Sequence, residues 1–217
     1  MTTPIDPTLP LRERKKLRTR RALADAALRL FLDRGFESVT VDELAAEAEV
    51  SKRTFYANYT SKEDAALSAE LELWDAYVAE IRARDLQGPV LTALRESLSS
   101  ALSGLGEDWA RRFLPTRGLA ARTPALRNHS VLLSMQIQET LVEILEDKLG
   151  IDSRDDVRLR LLGEFALSAW RCGAKNWIRT LRGHHDFAKA GGIDTLVQRV
   201  EEAFGAIPDS LALTAQA

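Results

Sequence analysis

The stretch TVDELAAEAEVSKRTFYANYTSK, from Thr40 to Lys62, reads as two short helices joined by a tight turn. Thr40 stands at an N-cap position with Glu43 three residues on, the reciprocal pair of a capping box, and Val41, Leu44, Ala45 and Ala48 recur at helical spacing. A second helix opens at Ser51. Val50 before that cap and Phe55 after it are spaced as a hydrophobic staple, which turns Phe55 inward against the first helix. At about 100° per residue, Arg53 and Ala57 then lie nearly opposite Phe55, flanked by Lys52, Thr54 and Tyr56. Lys52 and Arg53 break a local rule: a helix dipole disfavours cations in the first turn by about 0.3–1 kcal/mol, and such rules are broken most often at functional sites. An anionic partner accounts for the choice, and two helices in this arrangement form the helix-turn-helix with which proteins read DNA.

Across Arg20 to Leu67 the chain carries A-A-L-x-L-F, then G-F, then T-V-x-x-L-A-x-x-A-x-V-S-x-x-T-F-Y-x-x-Y-x-S-K-E. At nearly every anchoring position this resembles the tetracycline-repressor (TetR) family of bacterial one-component regulators. The resemblance implies an all-α chain of about nine helices, with a three-helix DNA-binding head followed by a helical body that binds a ligand and dimerises. It implies a double-stranded DNA operator, a second copy of the chain and a small-molecule effector as partners. It makes Lys52, Arg53 and Thr54 candidates for base edges and Thr40, Tyr56, Asn58 and Lys62 candidates for phosphates, with Ser51 and Tyr59 in the same interface. Two residues depart from the pattern: Glu49 stands where the family has Gly in the turn, and Tyr59 where Phe is commoner. A positive φ at Glu49 strains that turn by about 1 kcal/mol.

Outward from the motif, Pro4, Pro7 and Pro10 mark residues 1–11 as a flexible arm. The run Arg12, Arg14, Lys15, Lys16, Arg18, Arg20 and Arg21 follows. Such a run is ordinarily a solvated helix start, but in front of a helix-turn-helix it can reach phosphates or the minor groove. A first helix is expected over residues 19–34, burying Leu23, Ala26, Ala27, Leu30 and Phe31, with a Schellman stop at Gly35 and Phe36 packed back on Phe31. Ser61 and Asp64 cap a fourth helix running to Arg84. Gly88 and Pro89 precede a fifth over residues 90–105, and a short sixth over 107–114 stops at Pro115. Thr123 with Pro124 opens a seventh helix to Leu149, an eighth covers residues 153–182 and a ninth 193–207, with a loose tail beyond Pro208. The domain reading is an arm (1–11), a head (12–62, motif at about 41–60) and a ligand-binding and dimerisation body (63–217).

Composition sets the outer bounds. Of 217 residues 45% are hydrophobic and 29% charged, with seven prolines and helix formers dominant, which favours an all-helical globular chain. A net charge of -2 excludes a generally basic, nucleic-acid-coating protein. Residues 1–60 nonetheless carry 11 Lys and Arg against 9 Asp and Glu, so any basic surface is local. A single cysteine and no long apolar run point to a reducing, cytoplasmic setting without a membrane span.

In the body, Trp109, Phe113, Met135, Trp170 and Trp177 are candidates to line a ligand cavity, with Arg117, Gln136 and Gln138 as polar contacts; the plainer reading of such aromatics is core. Ala166, Ala169 and Gly173, spaced for close helix approach, and the stripe with Leu196, Val200 and Phe204 suit a two-fold four-helix dimer interface, unless each stripe simply covers the other. Cys172 reads as a buried small hydrophobe. His184, His185 and Asp186 follow a helix end, and no metal site is expected there or elsewhere. No phosphate-cradling loop, nucleophile elbow or paired carboxylates on an apolar face supports catalysis, and no cofactor is expected. Three functions compete: a ligand-responsive repressor released by a small lipophilic effector, a DNA-bound architectural or partner-recruiting protein without a ligand, and a helical enzyme with a borrowed head. The resemblance favours the first.

Overall fold

Pro10 lacks an N–H to lose and sits just ahead of a run of Leu, Arg, Lys and Glu, so helix formation begins there: α1 spans Leu11–Arg34, eight residues earlier than its expected start at 19. The computed structural model describes residues 10–181 and 192–214, and every regular element among them is a helix. The expectations for His184, His185, Asp186, the end of the eighth helix at Arg182 and most of the proline-marked arm lie outside the described residues. After α1 come α2 (Val41–Glu47), α3 (Lys52–Tyr56), α4 (Lys62–Ala66), α5 (Ser68–Ala83), α6 (Val90–Arg122), α7 (Pro124–Leu149), α8 (Arg158–Leu181), α9 (Gly192–Gly205) and α10 (Ile207–Leu211).

Other boundaries differ from expectation too, among them the start of α8 at Arg158 rather than at 153. The fourth expected helix is broken at Leu67 (φ -97°, ψ 20°) into α4 and α5. The fifth and sixth are one element, α6, bent at Gly106, whose φ of 69° and ψ of -172° suit glycine. Pro115 lies inside α6 and does not stop it; Phe113, Thr116, Leu119 and Ala120 around it are buried, and that burial outweighs the lost backbone hydrogen bond. The chain past Pro208 forms α10 where a loose tail was expected. Gly35 ends α1 at a positive φ of 84° with ψ 150°, a backbone that favours glycine but differs in ψ from the expected Schellman stop, while Phe36 packs on Phe31 at 5.0 Å between ring centroids.

The chain forms two compact units, one of residues 1–72 and 111–132, the other of 73–110 and 133–217. In the first, Leu23, Phe31, Phe36, Leu44, Phe55, Tyr59 and Leu67 form the core. Its later stretch is tied to residues 60–72 by polar contacts. The Arg112 guanidinium donates two bonds to Glu72 at 2.7 and 2.6 Å, Arg117 pairs with the buried Glu70, Ser130 Oγ donates to Glu70 at 2.6 Å, and His129 Nε2 lies 2.7 Å from Asp64.

The second unit is organised by α8 and α9. An added Cβ on Gly173 would lie 2.7 Å from the Val200 Cα, so the two backbones approach as closely as glycine permits. At the start of α9 the Glu107 carboxylate accepts the Ile193 N–H at 2.9 Å, and the Trp177 indole donates to the Gly192 carbonyl at 3.0 Å. Lys148 donates to the Arg82 and Arg84 carbonyls at 3.0 and 2.9 Å at the end of α5.

Candidate nucleic-acid interface

The expected caps of α2 and α3 are present atom by atom. Thr40 Oγ1 accepts the Glu43 N–H at 3.3 Å while Glu43 Oε2 accepts the Thr40 N–H at 2.8 Å. The Thr40 N–H, followed by Arg34 at 2.6 Å, holds the Glu43 carboxyl down at about 2. Ser51 Oγ accepts the Thr54 N–H at 3.1 Å. Between the helices, Val50 N–H donates to the Ala45 carbonyl at 2.9 Å and Glu49 N–H to Ala46 at 3.0 Å, a Schellman turn with Glu49 at φ 54° in the left-handed position. The strain expected at Glu49 is therefore present.

Phe55 is fully buried, which turns the opposite side of α3 outward. Arg53 is exposed there and forms no ion pair among the described residues. Lys52 is exposed too but donates to Asp42 at 3.0 Å, which raises its pKa; ten residues apart, the pair gives no signal in sequence spacing. Tyr56 is half exposed with its ring edge-on to Phe55 at 5.4 Å, Ser51 and Thr40 are exposed, and Thr54 is partly so. Asn58 is tied back by Nδ2 to the Thr54 carbonyl at 2.8 Å. Two expected contacts face elsewhere. Tyr59 is 2% exposed, its hydroxyl donating to the Arg20 carbonyl at 3.1 Å under the Arg20 guanidinium, and burial pushes its pKa up to about 12. Lys62 donates to the Phe36 carbonyl at 3.1 Å and lies 4.2 Å over the Phe36 ring, so its charge closes the turn before α2. The basic run of α1 is exposed at Arg12, Lys15, Lys16 and Arg18, and it forms a helix start, the plainer of its two readings.

The expected ligand residues are divided. Trp109, Trp170 and Trp177 are buried in the second unit, whereas Phe113 and Arg117 belong to the first, where Arg117 is engaged with Glu70. Met135 and Gln136 are exposed on α7. A surface groove in the second unit, lined by Arg82, Glu143, Ile144, Asp147 and Lys148, contains none of the expected residues. Of the expected dimer residues, Ala166, Ala169, Gly173, Leu196, Val200 and Phe204 are all buried within the single chain by the mutual packing of α8 and α9. Cys172, expected to be buried, is exposed, because it falls outside the face that carries Ala166, Ala169, Trp170 and Gly173. Among the described residues no cluster of metal-ligating side chains occurs, and no helix is long and apolar enough to cross a membrane.

A family model described as bacterial regulatory proteins of the tetR family matches residues 23–68, the stretch that holds α2 and α3. Over 173 residues the chain is 31% identical to the HTH-type transcriptional regulator TcmR of Streptomyces glaucescens, a match that spans 77% of this chain and 76% of TcmR. A solved TetR-family regulator from Mesorhizobium loti superposes with a TM-score of 0.50 at 15% identity, covering 90% of this chain and 98% of its own. SmeT, solved in complex with triclosan, also superposes with a TM-score of 0.50, at 14% identity, covering 87% and 91%. The capped helix pair, the match across it and the identity to TcmR make this chain a member of the TetR family of bacterial transcriptional regulators, a DNA-binding protein and not an enzyme.

Proposed function

We propose that the chain is a ligand-responsive repressor that binds a palindromic operator as a homodimer in the cytoplasm and is released by a small lipophilic effector. Residues 12–62, with the motif at about 41–60, read the DNA, and residues 63–217 bind the effector and dimerise. The observation that carries the DNA half is the placement of Arg53: Phe55 is locked inward, and the guanidinium opposite it is exposed and unengaged within the described chain. Arg53 reads guanine O6 and N7, flanked by Lys52 and Thr54, while Thr40, Ser51 and Tyr56 meet the backbone and Asn58 holds the end of α3. Two recognition helices enter successive major grooves only when they sit about 34–36 Å apart, so an effector that alters that spacing releases the operator. The effector half is supported by family membership and by an aromatic interior, since all four tryptophans lie in the second unit. SmeT, on the same fold, was solved with triclosan. For the dimer, the support is that Val157, just before α8, and Leu161, in its first turn and outside its buried face, are both exposed.

Binding curves on matched and mismatched operator duplexes at two salt concentrations test the reading. Arg53→Ala is expected to relax preference at one base pair per half-site, a loss of about 1–3 kcal/mol of discrimination. Unchanged base preference in that variant rejects the assignment.

A further inference from the structure

The interior of the second unit holds polar atoms with nothing to bond to. Tyr77 is fully buried and its hydroxyl has no partner, and Trp74, one turn earlier on α5, is 2% exposed with an indole N–H that also has none. Ser99 on α6 is a third such group; the two helices are adjacent, since Arg84 beyond Tyr77 donates to Ser97 at 2.9 Å. Buried polar groups are almost always hydrogen-bonded, so three orphans on two neighbouring helices call for a partner. Burial pushes the Tyr77 hydroxyl above its ordinary pKa, which keeps it a neutral donor at any physiological pH. Trp74 also has an aromatic neighbour, Trp170, which meets it edge-on at 5.8 Å. No charged side chain is buried among the described residues of this unit, in contrast to Asp64 and Glu70 in the other. An ionised ligand would have no counter-charge here, and desolvating it would cost far more than a hydrogen bond returns.

We propose that the effector is an uncharged, largely apolar molecule bearing a hydrogen-bond acceptor, and that Tyr77 and Trp74 donate to that acceptor. The inference rests on the ligand-responsive reading and adds the chemical class of the ligand. A carbonyl on a ring system fits: the rings replace contacts among the tryptophans, and the oxygen meets the phenol and the indole. Ser99 supplies a third contact to a ligand with a second polar atom.

The test uses the full chain and three probes of one shape, acetylnaphthalene, ethylnaphthalene and naphthoate, with binding followed by tryptophan fluorescence and by the rise in melting temperature. The ketone is expected to bind about tenfold more tightly than the hydrocarbon, and the carboxylate most weakly. Tyr77→Phe is expected to abolish the preference of ketone over hydrocarbon without lowering the melting temperature of the free protein, since it removes a buried group that had no partner. Trp74→Phe serves as an independent second variant with the same expected loss. Equal affinity for ketone and hydrocarbon, a preference that survives both substitutions, or no binding of the ketone overturns the proposal. Operator binding is measured alongside: an intact operator complex without ketone binding rejects this inference alone, whereas loss of operator recognition by the wild-type chain rejects the repressor reading itself.

Discussion

Glu49 occupies a left-handed backbone position that costs an L-residue about 1–2 kcal/mol, and glycine relieves this while losing about 0.5–1 kcal/mol of extra chain entropy on folding. The first effect is larger, so Glu49→Gly is expected to stabilise the protein by up to about 1 kcal/mol, read as a rise in melting temperature; a fall contradicts the strain. Tyr59 sets a complementary case. Its hydroxyl serves Arg20, so Tyr59→Phe is expected to cost about 1 kcal/mol of stability while leaving operator base preference unchanged. Had Tyr59 faced DNA, the order of effects would be reversed. Glu43 adds a pH dependence. Its carboxyl is held at about 2 when folded against an ordinary value of 4.5, so its stabilising contribution is complete above about 4.5 and is lost as pH falls toward 2. Glu43→Gln is therefore expected to flatten the dependence of melting temperature on pH across that window, compared with wild type under the same conditions.

At the scale of elements, α8 and α9 show what spacing reveals and what it leaves open. Small residues at Ala166, Ala169 and Gly173 and the apolar stripe through Phe204 are legible as surfaces that want a close neighbour. Which neighbour takes them is set by the path of the chain, and here each covers the other. Gly173→Ala is expected to destabilise by about 1–3 kcal/mol, because its methyl would press on Val200 backbone atoms that cannot step aside. Phe204→Glu is expected to unfold α9, lowering circular dichroism and melting temperature, rather than only to dissociate a dimer; a folded monomer would show the opposite. Leu161→Glu, on the exposed side of α8, is the substitution expected to separate copies in sedimentation. The helix-turn-helix was readable because its caps and staple act within five residues. Pro115 misled for the converse reason: its cost is local, whereas the burial that overrides it is tertiary.

In the molecule as a whole, the contacts that sequence reading missed are those between distant residues. Glu70 with Arg117, Glu72 with Arg112 and Asp64 with His129 are separated by 47, 40 and 65 positions, and no spacing rule links them. The same holds for Trp74 and Tyr77, legible as inward-facing but not as lacking partners. Because Glu70 is buried, Arg117→Ala strands a carboxylate and is expected to cost about 3 kcal/mol, with much of the loss recovered when Glu70→Gln is added. A double-mutant cycle that shows additive losses rejects that coupling. The exposed thiol of Cys172 has a practical consequence for assembly. Since the sequence holds one cysteine, a nitroxide spin label attached through a maleimide marks each copy once, with no engineering of the chain. Dipolar coupling between two such labels would report a dimer as a single well-defined distance, would vanish for a monomer, and would show directly whether an effector moves one copy against the other.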